Sequence, residues 1–290
     1  MSDALEFTGE RFTPECVREI WYEHVHRYAF AQSLAHGKRV LDAACGEGYG
    51  SALLASTAES VLGVDIDEKT VEHARSRYAG KTNLDFRCDD VTRLDALPEG
   101  GFDLITCFET LEHLHAQQAM MAGFTRLLAP GGLLLVSSPD KAEYSDRRGF
   151  DNEFHVCELY RSELEALLGE HFPHVQLLAQ KLLFQSVLWS SDGDLSAAAA
   201  VTDSGGTLSP GIQYPPMYYL AICSRQPLPD VPALHLFGDA AESVYDHYNG
   251  EVRKNIAAGH RIAELEQRIN ELERRPQPPH SWWRRLFRRR

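Results

Sequence analysis

The sequence predicts an α/β chain built on a doubly wound, seven-stranded sheet, and three observations predict it. Apolar runs of strand length alternate with helical patterns from Arg39 to about Pro139, an order that implies parallel strands with right-handed crossovers. The first run, Val40-Leu41-Asp42, ends in an acid and passes into a glycine-dense turn, Ala43-Ala44-Cys45-Gly46-Glu47-Gly48-Tyr49-Gly50. Later runs also close on carboxylates, at Asp65, Asp90 and Glu109.

The elements follow in order. Glycine has no Cβ and accepts positive φ, so a ligand can approach the backbone of the turn after the first strand closely. A helical pattern from Ser51 to Ala58 follows, and its start offers unpaired N–H groups and a positive dipole end to something polar or anionic. The second run is Val61–Asp67, and its acid Asp65 falls about 20 residues past the glycines, where doubly wound folds place a carboxylate for ribose hydroxyls. The third run is Leu84–Val91, the fourth Phe102–Glu109, and the fifth Leu127–Pro139. A loop from Asp140 to Glu158 leads to a helix near Tyr160–Leu168, then to late strands at His174–Lys181 and Met217–Ser224. Between those strands an insertion rich in Ala, Gly, Ser and Pro, from about Ser190 to Pro216, reads as a substrate lid or a loop without function.

Composition narrows the classes. Forty-three per cent hydrophobic content over 290 residues supports a full core with appendages. No run is long enough to span a bilayer, and the acidic start is unlike a signal peptide, so a cytoplasmic protein is expected. Six scattered cysteines without a C-x-x-C pair read as reduced packing residues. The net charge of −13 argues against a nucleic-acid partner. That average hides a division: residues 276–290 hold five arginines and no acid, which leaves −18 for residues 1–275.

The glycine turn decides between two nucleotide-type ligands. Dinucleotide folds use G-x-G-x-x-G, whereas here the spacing is Gly46-x-Gly48-x-Gly50 and Ser51 stands in place of the third glycine. The order D-x-x-x-G-x-G from Asp42 resembles motif I of the class I S-adenosylmethionine (SAM)-dependent methyltransferases, with Ala44 in place of that family's first glycine. The Phe102–His113 stretch, F-D-L-I-x-x-x-E-x-L-E-H, and the Leu128–Val136 run, L-x-P-G-G-x-L-L-V, resemble the same superfamily. The resemblance covers roughly residues 38–225 and implies a Rossmann-like methyltransferase sheet whose last two strands form a reversed hairpin, with SAM as cofactor. It implies that Asp42, Ala44, Gly46 and Gly48 form the SAM loop, and that Asp65 meets the ribose. It places Ile66 on the adenine face, Asp90 and Val91 at the adenine edge, and Glu109 beside the methionine part. An alanine at position 44 is tolerable if its backbone keeps negative φ.

A narrower resemblance rests on short segments. G-E-R-F-x-P-E from Gly9, Y-E-H-x-H-R-Y from Tyr22 and N-E-F-H-V-C-E-L-Y from Asn152 are similar to bacterial methyltransferases that accompany glycosyltransferases in surface-polysaccharide synthesis. This implies a cap over the SAM pocket, with Glu10, Arg11, His24, His26 and Arg27 as polar wall candidates and Asn152 near the acceptor. Quinone-biosynthesis O-methyltransferases share the F-D-L-I-T-C-x-E-x-L-E-H stretch as well. A hydroxyl acceptor must lose its proton as it attacks, and His155 is the candidate base, since imidazole titrates near neutrality. The alternative for His155 is a histidine that orders its loop. Glu109, Glu112 and His113 have ligand-type side chains, but no second cluster completes a site, so no metal is expected.

The organisation expected is a cap helix over residues 1–37, the methyltransferase domain over 38–225, and a Pro-rich linker over 226–238. A helix over 239–275 follows, with Ile262, Leu265, Ile269 and Leu272 on a short coiled-coil seam suited to a homodimer. Residues 276–290 place Trp282, Trp283, Leu286 and Phe287 on one side of a helix and arginines on the other, a pattern suited to an anionic membrane surface. The function expected is methyl transfer to a hydroxyl of a glycan or lipid-linked sugar. A quinone-like acceptor and a non-catalytic scaffold are the alternatives.

Overall fold

The computed structural model describes residues 19–183, 185, 187, 200–202 and 208–274. The chain divides into two units, residues 1–237 and 238–290.

The first unit opens with α1 (Glu19–Ala35), then alternates β1 (Arg39–Ala43), α2 (Tyr49–Leu54), β2 (Ser60–Asp65), α3 (Glu68–Arg77), β3 (Leu84–Cys88) and β4 (Phe102–Cys107). It continues through α4 (Gln117–Leu127), β5 (Leu128–Pro139), α5 (Arg161–His171), β6 (His174–Gln180), the short pair β7 (Ala200–Thr202) and β8 (Leu208–Pro210), and β9 (Tyr218–Ser224). The large sheet has the order β3-β2-β1-β4-β5-β9-β6. Its first five strands run parallel, and β9 pairs antiparallel with both β5 and β6. The chain leaves β1 toward β2 on one side and later returns to β4 on the other. The crevice at the carboxyl ends of β1 and β4 is therefore the topological switch point, where open α/β sheets hold their ligands.

Strands covered on both faces need apolar residues in succession. Leu41, Ile105 and Leu134 face Met120, Met121 and Phe124 of α4 and Leu164, Leu167 and Leu168 of α5. Their neighbours Val40, Leu104 and Leu135 face Tyr28, Phe30 and Ala31 of α1 and Leu54 of α2. Each such side chain contributes roughly 1.5–3 kcal/mol when fully buried. Asp67 caps α3 by accepting from the Lys69 N–H, and Arg75 and Arg77 occupy the last turn where the dipole favours cations.

Boundaries differ from the sequence pattern where turn chemistry prevails. α2 starts at Tyr49 because Gly48, at φ 77, serves as its N-cap, and it stops at Leu54, where Ser56 and Thr57 tighten into i→i−3 bonds. The insertion contributes the β7–β8 backbone pair; most of its other residues before Leu208 lie outside the described set, and with them the expected lid.

The second unit contains α6 (Ser243–Glu273), whose 31 residues run through Gly250 and Gly259 without a break. None of its residues is buried, and the seam residues Ile262, Leu265, Ile269 and Leu272 are all exposed. Arg261–Glu264 and Arg268–Glu271 ion pairs flank that seam. The basic tail, 276–290, lies outside the described residues. Among the described residues no helix is long and apolar enough to cross a membrane.

Candidate active site

A cavity of about 1130 Å³ opens at the carboxyl ends of the parallel strands. The loop after β1 forms one wall. Ala44 (φ 57) and Gly46 (φ 54) are both left-handed there, and both line the cavity. The sequence condition on Ala44, negative φ, is therefore not met: its methyl group is carried in a conformation that suits glycine, at a cost of about 1–2 kcal/mol. The Gly46 N–H donates to Asp65 Oδ2 at 2.9 Å, and the Asp67 N–H donates to Asp65 Oδ1 at 3.0 Å. The acid at the end of β2 thus clamps the glycine loop while keeping lone pairs for a ligand.

Two expected loop contacts stand behind this wall. Asp42 is fully buried and accepts from Ser51 Oγ at 2.6 Å, Thr106 Oγ1 at 2.7 Å and the Tyr28 hydroxyl at 3.1 Å. Gly48 also does not face the cavity; a Cβ there would lie 2.4 Å from the Phe86 ring. Both residues hold the loop in shape from beneath, because the carboxylate is consumed by protein hydroxyls and the glycine by packing. Gly50 belongs with them: a Cβ there would meet the Tyr28 ring at 2.0 Å.

Farther along the wall, Ile66 is 72% exposed between Asp65 and Asp90, an apolar plate flanked by two carboxylates. Asp90 accepts from the Thr92 N–H at 2.8 Å and from Thr92 Oγ1 at 2.7 Å, which holds its carboxyl below the usual carboxylate range. Val91 lines the cavity beside it. Glu109 sits at φ 49 after β4; its N–H donates to Ser137 Oγ and its Oε1 accepts from that hydroxyl at 2.7 Å.

The other end of the cavity is formed by the loop after β5. His155 lies there with its Nδ1 2.5 Å from Glu158 Oε1, and Glu158 in turn accepts from Ser145 Oγ. The His155 ring packs edge-on to His113 at 5.0 Å and near Tyr144 at 5.2 Å. His113 Nδ1 bonds the Phe154 carbonyl at 2.9 Å. Glu112 is buried below them, and burial together with the nearby Glu109 charge raises its carboxyl well above the usual range. The loop therefore brings an imidazole beside the Glu112–His113 pair that the sequence left without a second cluster. Asn152 lines the same end and accepts from the Phe154 N–H.

The residues named on the cap separate. His24 lines the cavity, and burial beside Arg27 holds its imidazole well below 6.5. His26 does not, because two residues turn a helix by about 200°; it bonds His235 at 2.8 Å and lines a separate cavity of about 200 Å³. Arg27 is likewise not on the wall: it is buried, donates to Gln180 Oε1 at 2.7 Å and stacks on Tyr218 at 4.6 Å. Glu10 and Arg11 lie outside the described residues. Sequence reasoning missed Glu158, Tyr144, Lys181 and Tyr218. Only Glu158 left a signal, three residues after His155; the others come from elements that converge in space alone.

Residues 41–136 match the family described as "Methyltransferase domain". A "Probable S-adenosylmethionine-dependent methyltransferase" of Mycolicibacterium smegmatis is 40% identical over 172 residues, covering 58% of this chain and 65% of that protein. A protein of the same description from Mycobacterium tuberculosis is 36% identical over 168 residues, 57% of this chain and 60% of its own. A ubiquinone biosynthesis O-methyltransferase of Coxiella burnetii is 35% identical over 113 residues, 39% of this chain and 48% of that one. This chain thus spans less than two thirds of each of these relatives. In fold it is similar to the YcgJ protein of Bacillus subtilis, with a TM-score of 0.50 at 18% identity over 70% of this chain and all of the other. The family match falls on β1 through β5, the strands that build the switch point and its glycine loop, and over that stretch the chain is similar to methyltransferase domains.

Proposed function

We propose that the protein transfers a methyl group from SAM to a hydroxyl of a glycan or lipid-linked sugar. The observation that carries this reading is the division of the cavity: a glycine loop with Asp65, Ile66 and Asp90 at one end, and the His155–Glu158 pair with polar neighbours at the other. The residues present fit the cofactor. Asp65 keeps lone pairs for ribose hydroxyls, Ile66 offers an apolar plate for a base, and Asp90 with Val91 stands where an exocyclic amine and a ring nitrogen would be read. Gly46 and Ala44 would lie along the methionine portion, with Glu109 near its amino group. When bound, SAM supplies an already activated methyl group.

The chain's own part is alignment and proton removal. Glu158 holds His155 by Nδ1, so the Nε2 lone pair faces the cavity and takes the hydroxyl's proton. Arg148, Asn152, Glu153 and Lys181 around it suit an acceptor rich in hydroxyls. A quinone-like acceptor is the second reading, favoured by Phe150, Phe154 and Tyr144 on the same wall and by the relative named for ubiquinone biosynthesis. In the same proposal α6 pairs two copies of the chain, and the tail rests on the anionic cytoplasmic face of a membrane.

Calorimetric titration with SAM tests the reading. Micromolar binding is expected in the wild type and should be lost in Asp65→Ala; absence of wild-type binding leaves a non-catalytic scaffold as the better account. Once an acceptor is found, His155→Ala at saturating SAM should lower kcat by about 10²–10⁴-fold, and full turnover would remove His155 from the chemistry.

A further inference from the structure

Glu112 is 1% exposed, yet neither of its carboxylate oxygens has a hydrogen-bond partner among the described residues. A buried carboxylate is ordinarily hydrogen-bonded, paired or bound to a metal. Two imidazoles stand beside it. Donor atoms of Glu112, His113 and His155 all fall within 4.8 Å of one another, and all three residues line the cavity. The orientation of the rings singles the group out. A carbonyl oxygen only accepts, so the His113 Nδ1 that meets the Phe154 carbonyl carries the hydrogen, and the Nε2 of the neutral ring carries the lone pair. The Glu158 carboxylate imposes the same tautomer on His155. A ring N–H on a backbone carbonyl and another on a carboxylate are the arrangements that surround metal-bound histidines and fix their orientation.

We propose that Glu112, His113 and His155 bind a divalent transition-metal ion, zinc or manganese, through the Glu112 carboxylate and the two Nε2 atoms. Two imidazole nitrogens select such ions over magnesium or calcium, which take oxygen ligands. Three protein ligands leave coordination open toward the cavity. Metal–ligand lengths of about 2.0–2.2 Å place neighbouring donors about 3.4 Å apart. The group therefore tightens by roughly 1 Å on binding, a movement within reach of side-chain rotation and of the loop that carries His155. The open positions face the acceptor end, so the ion takes an acceptor hydroxyl oxygen, and a pair of adjacent hydroxyls would fill two positions at once. That last assignment rests on the methyltransferase reading; the cation site does not. Without the ion His155 is the base proposed above; with the ion in place its Nε2 would be a ligand instead, and the ion would lower the hydroxyl's pKa so that its proton leaves to solvent.

The test uses the full chain, stripped with a chelator and titrated without SAM, with Mn²⁺ followed by electron paramagnetic resonance and Zn²⁺ by calorimetry. One ion per chain is expected. Binding should fall at least tenfold in Glu112→Gln and His113→Ala, and by about 10–100-fold in Glu158→Gln, which keeps all three ligands and weakens the support of His155. Thermal unfolding of each variant reports folding, and His113→Asn and Glu158→Gln carry the comparison if Glu112→Gln does not fold. No saturable binding by the wild type, or undiminished binding by these variants, overturns the proposal. A separate SAM titration keeps the two readings apart: a protein that binds the ion but not SAM loses the methyltransferase reading alone, and one that binds SAM but not the ion loses the cation site alone.

Discussion

Tyr28, Asp42 and Gly50 form one mechanical unit beneath the glycine loop. The Tyr28 ring lies against Gly50, and its hydroxyl reaches Asp42, so the ring can occupy that space only while residue 50 has no side chain. Gly50→Ala should cost about 1–3 kcal/mol by overpacking and should weaken SAM binding, because Asp42 loses a donor and the loop it supports shifts; chemical denaturation and calorimetry measure the two effects. Asp42 also brings a pH dependence. Burial, opposed by its three hydroxyl donors, pushes its carboxyl up to about 6 from an ordinary 3.8. A carboxyl with a raised folded-state value stabilises the fold fully below the unfolded value, and that contribution is lost as pH rises through the folded one. Wild-type stability should therefore decline relative to Asp42→Asn between pH 4 and pH 6, by at most about 3 kcal/mol, in denaturation midpoints taken across that range.

Among the elements, α1 and α6 show how one helical pattern can serve different ends. α1 divides its polar residues by pitch: His24 turns to the large cavity, while His26 turns to His235 and Phe237. α6 buries nothing, although its apolar residues repeat at the 3-4-3 spacing of a seam. The proposed pairing would bury that stripe between its flanking i,i+3 ion pairs and so stabilise the 31-residue helix. In the proposed pairing, sedimentation equilibrium should give a dimer for the wild type and a monomer for Leu265→Asp/Ile269→Asp. A wild-type monomer at micromolar concentration would remove the pairing.

For the whole molecule, charge is the governing quantity. Residues 1–275 carry −18 and residues 276–290 carry five arginines, so an anionic surface repels the body and attracts only the tail. Each tail arginine near such a surface contributes about 1 kcal/mol, less as salt rises. Co-sedimentation with phosphatidylserine-containing vesicles should therefore depend on residues 276–290 and weaken between 0.05 and 0.5 M salt, roughly a threefold fall in Debye length. Equal partitioning of the truncated chain would remove the membrane role.

Local patterns were enough to determine the seven strands of the large sheet, the parallel order of the first five, and the cavity-facing acids Asp65 and Asp90. Apolar runs, glycine spacing and strand-end carboxylates act over a few residues, and the sheet follows from them. The tertiary structure alone decided which polar residues face the cavity. Asp42 and Arg27 share their chemistry with true wall residues, and only their neighbours show that Asp42 is taken up by Ser51, Thr106 and Tyr28 and that Arg27 is held behind the wall by Gln180, Tyr218 and the Glu109 carboxylate. The gathering of Glu112, His113 and His155 is of the same kind. The histidines are 42 positions apart in sequence, and no periodicity links a residue after β4 to one in the loop after β5. Their meeting depends on β4 and β5 lying side by side, with the loops at their carboxyl ends turned into one crevice.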